Sequence, residues 1–315
     1  MKNKTILILG GSGALGKTLL SRYHEKNTII VFSRDEHKHV RLMKKYPDIA
    51  FQIGDVKDKD SIIQAINEYK PDIIINAAAL KHVPICESNV FESVKTNIVG
   101  HQNLIDAVSL SNHQIETLIF ISTDKACKPI NVYGMCKAIS ERLYVNFSEK
   151  QNDIKVVIVR YGNVLESTES VIPFFKKLLD SKCEHLPITH LEMTRFLLTL
   201  NSAVNLIEWA YFCEEAHGNV VVPKVKSLKI VDLAKELAES YGRNISLKVV
   251  GIRPGEKLHE EMVSHEESIR TRDMGEYFIV TNNIFHNDSW SYSSDSNLIP
   301  VTEVKNFLID SGVIE

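Results

Sequence analysis

Three consecutive isoleucines, Ile73-Ile74-Ile75, stand between Asp72 and Asn76 without a polar interruption. Successive side chains of a strand point to opposite faces, so this run offers apolar groups to both faces of a sheet and needs cover on both. A parallel sheet with helices on either side meets that requirement. Further strand candidates are Thr5 to Leu9, Thr28 to Phe32, Ala50 to Ile53, Thr117 to Ser122 and Lys155 to Arg160, with Asp72 to Asn76 holding the isoleucines. Helical patterns fall between them at Leu15 to Glu25, Asp60 to Tyr69, Val90 to Leu110 and Val132 to Glu149. The alternation predicts an α/β fold, a Rossmann-like doubly wound parallel sheet.

After about Val164 the rhythm changes to helices and short strands. This predicts a cofactor domain over 1–164 and a smaller C-terminal substrate-binding domain over 165–285, with the chain crossing between them more than once. The Ser-rich stretch His286 to Asn297 reads as a surface loop, followed by a helix from Val301 to Asp310 started at Pro300, so 286–315 forms a loop and terminal helix.

Lys plus Arg number 37 against 40 Asp plus Glu, a formal charge of -3. No global basic field exists to hold nucleic acid or an anionic membrane, so neither is expected as a partner. The five cysteines are scattered, with no C-x-x-C pair, which predicts neither disulfides nor a zinc knuckle and fits a reducing compartment. No H-E-x-x-H or grouped Cys/His spacing occurs, so no metal is expected. The first apolar run is about five residues, too short for a signal peptide, and none approaches the roughly 20 needed to span a bilayer. A cytoplasmic protein is expected.

Gly10-Gly11-Ser12-Gly13-Ala14-Leu15-Gly16 follows the first strand and opens a helix. Glycines there let the backbone approach a pyrophosphate whose charge rests on the helix N-terminus. At the end of the second strand stand Ser33 and Arg34, which favour the 2′-phosphate of NADP; the alternative is that Asp35 or Glu36 bonds the ribose hydroxyl of NAD. Asp55, followed by Val56, is placed to meet the adenine amino group. Ala77, Ala78 and Ala79 are small enough for close passage of backbone and cofactor.

Tyr133 and Lys137 stand one turn apart on a helix face. An ammonium beside a phenol lowers its pKa, so that tyrosine becomes a base near neutral pH. Upstream, Thr123, Asp124 and Lys125 end the fifth strand at the carboxyl edge of the sheet, where ligands bind in this fold.

Together these motifs resemble the extended short-chain dehydrogenase/reductases. AAALKHVP (Ala77 to Pro84), STDKA (Ser122 to Ala126), PINVYG (Pro129 to Gly134), RYGNV (Arg160 to Val164), VIPFF (Val171 to Phe175), MTRF (Met193 to Phe196) and RPGEKLHE (Arg253 to Glu260) resemble, more narrowly, the inverting UDP-N-acetylglucosamine 4,6-dehydratases. The resemblance implies a lyase that uses NADP. Tyr133 with Lys137 would take the 4-hydroxyl proton, Lys125 the C5 proton, Asp124 would protonate the departing 6-hydroxyl, and Thr123 would bond the sugar near O4. It also implies cofactor contacts from Lys81, Asn97, Tyr161 and Val164. Substrate contacts would come from Lys81, Thr123, Asn163, Val171, Pro173, Phe174, Thr194, Arg195, Arg253 and Glu256. Arg195 and Arg253 suit a diphosphate through their planar forks; Glu256 either binds the uridine ribose or caps a helix. A dimer-based homo-oligomer, up to a hexamer, is implied as well.

Glu166-Ser167-Thr168-Glu169-Ser170 departs from the family's Gly-Ser-Arg-Gly-Ser-like stretch, and no site residue is assigned there. Tyr133 resembles the branch that feeds pseudaminic acid synthesis, whereas Asp273 to Tyr277 and Tyr292 to Asp295 resemble the capsule and O-antigen branch, where C3 is also epimerised. Two other functions compete: a UDP-sugar 4-epimerase, and a catalytically silent NADP-binding protein.

Overall fold

The computed structural model describes residues 1–165 and 170–315; the stretch 166–169, which carries most of the departure from the family pattern, lies outside the described residues. Strands β1 (Thr5–Leu9), β2 (Thr28–Ser33), β3 (Ala50–Ile53), β4 (Ile73–Asn76), β5 (Thr117–Ile121) and β6 (Lys155–Val159) pair in parallel in the order β3-β2-β1-β4-β5-β6. The isoleucine run behaves as its composition requires. Ile74 packs with Leu7, Leu9, Ile30 and Phe120 on one face, while Ile73 and Ile75 pack with Ile6, Ile8, Val31 and Ile121 on the other.

The helices of this half are α1 (Ala14–Tyr23), α2 (Glu36–Lys45), α3 (Lys59–Tyr69), α4 (Val83–Ser88), α5 (Val90–Val94), α6 (Gly100–Leu110) and α7 (Val132–Lys150). Two of them, α2 and α4, escape the periodicity. Helix α2 buries only His39 and Leu42, and its sequence is so rich in charged and polar residues that it does not stand out as a core helix. The single helix expected over Val90 to Leu110 is interrupted by a π turn at Lys95–Val99. Asn97 in that turn grips the loop after β4, accepting from Leu80 N and donating to Leu80 O, both at 2.8 Å.

The second half contributes β7 (Asn163–Val164), α8 (Val171–Asp180), β8 (His185–Ile188), β9 (Thr194–Leu198), α9 (Leu200–Phe212), β10 (Val220–Pro223), β11 (Ser227–Lys229), α10 (Ile230–Ser240), β12 (Ser246–Val249), β13 (Glu261–Val263), α11 (His265–Ser268), β14 (Thr271–Asp273), β15 (Tyr277–Val280), β16 (Tyr292–Ser293) and α12 (Val301–Asp310). The large sheet continues in this half. Strand β10 extends the large sheet in parallel beside β6, β15 and β14 add antiparallel beyond it, and α9 covers one face. A third core gathers Leu165, Phe175, Leu186, Leu233 and Leu237.

The segment from 286 onward is not a separate tail. Val304 and Leu308 of α12 join the third core. Strand β16 pairs with β13, and Ser294, fully buried, donates its backbone N–H to Glu260 O at 2.8 Å. One serine of a stretch read as solvent-seeking, Ser294, serves here as a buried hydrogen-bond partner. Among the described residues no helix is long and apolar enough to cross a membrane.

Candidate active site

A cleft of about 1280 Å³ runs along the carboxyl ends of the central strands. At one end lies the glycine loop. Gly10 has φ +76°, and a Cβ on it would stand 2.8 Å from Ala78 N, so only glycine lets this turn meet the Ala77 to Ala79 segment. Ser12, Gly13, Ala14, Leu15 and Gly16 line the cleft, and Gly13 at the N-cap of α1 makes no side-chain cap, which leaves the helix's first N–H groups to a ligand. The residues present fit a dinucleotide.

Beside the loop, Ser33 donates its hydroxyl to Ser12 Oγ at 2.9 Å and lies 2.6 Å from His39 Nε2. Arg34 is exposed, 3.4 Å from Asp55 Oδ2. Asp35 is committed elsewhere: it caps α2 through Lys38 N at 3.0 Å and pairs with Lys38 Nζ at 2.9 Å. Val56, Lys81, Tyr161 and Val164 also line the cleft, whereas Asn97 does not and acts through Leu80.

At the other end β5 delivers Thr123, Asp124 and Lys125, the last two in a short 3-10 turn. Lys125 Nζ lies 3.0 Å from Asp124 Oδ1, 3.2 Å from Glu260 Oε1 and 3.5 Å from Asn163 Oδ1. A Cβ on Gly134 would stand 2.2 Å from Lys125 O, so a glycine is required where α7 packs on this turn. Asn131 begins α7, accepting from Gly134 N at 2.7 Å and donating to Gly255 O at 2.8 Å, which ties the 253–256 loop to the helix that carries Tyr133 and Lys137. Both of these line the cleft, one turn apart.

The electrostatics differ from the simple expectation for this pair. Burial, reinforced by Asp124, pushes the Tyr133 phenol up. Burial also lowers Lys137 to about 7, and its Nζ donates to Ile121 O at 2.8 Å while lying over the Phe120 ring. Burial therefore favours the neutral phenol, so Tyr133 must give up its proton before it can act as a base. Burial raises Asp124 against the pull of Lys125. Lys125 itself is raised, since Asp124 and Glu260 together outweigh its desolvation.

Of the residues assigned to substrate, Lys81, Thr123, Asn163, Arg195, Arg253 and Glu256 line the cleft; Val171, Pro173, Phe174 and Thr194 do not. The Thr194 hydroxyl is taken by His259 Nδ1 and Ser294 Oγ, at 2.8 and 2.7 Å. Arg195 is buried, and its two amino groups donate to the carbonyls of Thr194, Leu258 and Lys257, so the fork expected at a diphosphate is spent on backbone. Arg253 is exposed at the cleft wall, and Glu256 pairs with it at 2.7 Å rather than capping a helix. Glu260 also lines the cleft, a residue the motif reading overlooked although it closes the RPGEKLHE stretch.

The family model described as "Polysaccharide biosynthesis protein" matches residues 6–282. The chain belongs to this family of polysaccharide biosynthesis proteins. A relative from Campylobacter jejuni named UDP-N-acetylglucosamine 4,6-dehydratase (inverting) is 39% identical over 95% of each chain. A relative from Rickettsia canadensis named UDP-glucose 4-epimerase is 36% identical over 88% of this chain and 82% of its own. Among solved structures, the X-ray structure of Pen from Bacillus thuringiensis matches with a TM-score of 0.91 at 32% identity, covering 99% of both chains. Relatives in the polysaccharide biosynthesis family thus carry both dehydratase and epimerase names, and the chemistry of the cleft must separate the two.

Proposed function

We propose that this chain catalyses the 4,6-dehydration of UDP-N-acetylglucosamine with inversion at C5, using NADP. The observation that carries the reading is the Asp124–Lys125 pair, 3.0 Å apart in the cleft that also holds Tyr133 and Lys137. A 4-epimerase needs the tyrosine and lysine but has no use for a further acid and base beside them.

The Gly10 to Gly16 loop, Ser33, Arg34 and Asp55 would hold the dinucleotide. With Asp35 engaged at the cap of α2, the cationic Arg34 and the Ser12–Ser33 pair support a 2′-phosphate and hence NADP over NAD. Bound there, the dinucleotide would supply the hydride acceptor for C4 and the hydride donor for C6. Tyr133 takes the proton of the 4-hydroxyl, assisted by Lys137, and Thr123 bonds the sugar near O4. The ketone acidifies C5. Once the Lys125 ammonium has passed a proton to Asp124 across their 3.0 Å contact, Lys125 removes the C5 proton as the amine, and Asp124, now the acid, protonates the departing 6-hydroxyl, which leaves as water. Each such group contributes about 10²- to 10⁴-fold. A proton from solvent then adds to C5 from the opposite face, and Tyr133 returns to solvent the proton it took from the 4-hydroxyl, so the net change is loss of water. The product is a UDP-2-acetamido-2,6-dideoxy-4-hexulose for surface polysaccharide or glycoconjugate synthesis. Arg253 faces the diphosphate in this reading.

A cytoplasmic location agrees with five unpaired cysteines, and a dimer-based homo-oligomer agrees with the exposed Ile85, Phe91, Met135 and Ile139 on α4, α5 and α7. Mass spectrometry after incubation with UDP-N-acetylglucosamine tests the reading. Loss of one water from the sugar nucleotide is expected; conversion to an isomer of unchanged mass would make the protein an epimerase.

A further inference from the structure

Glu260, at the cleft, carries a buried negative charge for which the mechanism above has no use. It is 2% exposed, and its Oε1 lies 3.2 Å from Lys125 Nζ, which also contacts Asp124 Oδ1 at 3.0 Å. Its Oε2 is buried without a hydrogen-bond partner. Burying a carboxylate in this state is strongly unfavourable unless cations compensate it. Three are present: Lys125, Arg195 with Nε at 4.0 Å, and Lys257 with Nζ at 4.0 Å. The backbone around Glu260 is fixed as well. Its N–H donates to Ser294 Oγ at 2.9 Å, its carbonyl accepts from Ser294 N, and Arg195 holds the carbonyls of Lys257 and Leu258, three and two residues before it.

We propose that Glu260 is a positioning residue that acts through Lys125, aiming its amine at C5 and stabilising the ammonium that forms when it takes the C5 proton. The inference rests on the dehydration reading. Elimination begins with Lys125 as the amine and Asp124 as the acid. The C5–H bond breaks, its proton goes to Nζ and its electron pair to the new C5–C6 double bond. The C6–O bond breaks as Asp124 gives its proton to the leaving oxygen. Lys125 ends as ammonium and Asp124 as carboxylate, a pair whose 3.0 Å contact lets the proton pass back for the next turnover. Glu260 stays ionised throughout and favours the ammonium side, which makes Lys125 a stronger base toward a weakly acidic carbon.

Glu260→Gln keeps the shape and removes the charge, and two readouts test it. The first needs no turnover: the pH dependence of acetic anhydride labelling of Lys125, followed by mass spectrometry. The charged groups facing this site are Asp124, Glu260, Arg195 and Lys257. Loss of the Glu260 charge is expected to make Lys125 reactive at lower pH than in the wild type. The second is single turnover with UDP-N-acetylglucosamine. Reduction of the nicotinamide, seen by its absorbance, should proceed at the wild-type rate, while release of the dehydrated product slows about 10²-fold and the reduced form accumulates. An unchanged labelling profile, or an equal loss of both half-reactions, overturns the proposal. Wild-type protein that releases no dehydrated product overturns the dehydratase reading instead, and the labelling profile still decides the state of Lys125.

Discussion

Lys125 Nζ lies 3.0 Å from Oδ1 of Asp124, the residue before it in the chain, so the acid and the base of the proposed elimination share one hydrogen bond. Two neighbours on a strand would point to opposite faces; the 3-10 turn after β5 brings both to the cleft. Asp124→Asn cannot supply a proton to the leaving hydroxyl, and Lys125→Met cannot accept one from C5. Each is expected to slow product release by about 10²- to 10⁴-fold while the nicotinamide is still reduced by substrate. Tyr133→Phe should do the reverse and block that reduction itself. Single-turnover absorbance separates the two patterns.

Lys137 titrates at about 7 in the fold against its ordinary 10.5. Between those values the unfolded chain binds a proton that the folded chain does not, so this residue makes stability rise with pH across that window and costs most below pH 7. Lys137→Met, melted without added nucleotide, should be stabilised relative to wild type at pH 6, with the gap narrowing toward pH 10. A gap that does not change with pH contradicts the assignment.

Arg160 is buried between Glu141, at 2.6 Å, and Glu267, at 2.8 Å, and joins β6 to α7 and α11 behind the cleft. Burial pushes the Glu267 carboxyl up, but Arg160 more than reverses this and holds it at about 2. A depressed carboxylate adds stability above its ordinary value of 4.5, and that stability is lost as pH falls from 4.5 through 2. The contribution is on the order of 3 kcal/mol. Denaturant melts at pH 5 and pH 3 should show a smaller loss for Glu267→Gln than for wild type. Arg160→Ala should cost about 3–5 kcal/mol at neutral pH by stranding two carboxylates.

Much of this was legible beforehand, for identifiable reasons. The unbroken Ile and Val runs mark strands buried on both faces, and a loop of glycines can only sit where backbone meets backbone or phosphate. Asp124, Lys125, Tyr133 and Lys137 could be placed because each lies within a few residues of a strand end or helix start. What escaped depends on distant contacts. Helix α2 is mostly charged and polar and buries only two residues. The buried Ser294 looks like loop composition until its bonds to Thr194 and Glu260 are seen. The diversion of Arg195 to backbone carbonyls, and the approach of Glu260 to Lys125, arise from pairings of β9 and β13 that no local pattern encodes.

Arg34 is the exposed cation at the end of β2. A charge-assisted bond to a 2′-phosphate is worth about 1.5–3 kcal/mol, so Arg34→Ala should raise the KM for NADP about tenfold or more and leave that for NAD nearly unchanged. Steady-state kinetics with each dinucleotide supplied to cofactor-stripped protein reads the difference. Equal effects on both would assign the 2′-position to other groups.

The central claim is that Asp124 and Lys125 turn a tyrosine-dependent oxidation into a dehydration with inversion. Its most direct test is incubation with UDP-N-acetylglucosamine in deuterated water, with the product followed by NMR. The account predicts a 4-keto-6-deoxy sugar nucleotide that carries deuterium at C5 with the configuration there inverted. A 4-epimer that keeps its 6-hydroxyl, or a 4-keto product with hydrogen retained at C5, would contradict it.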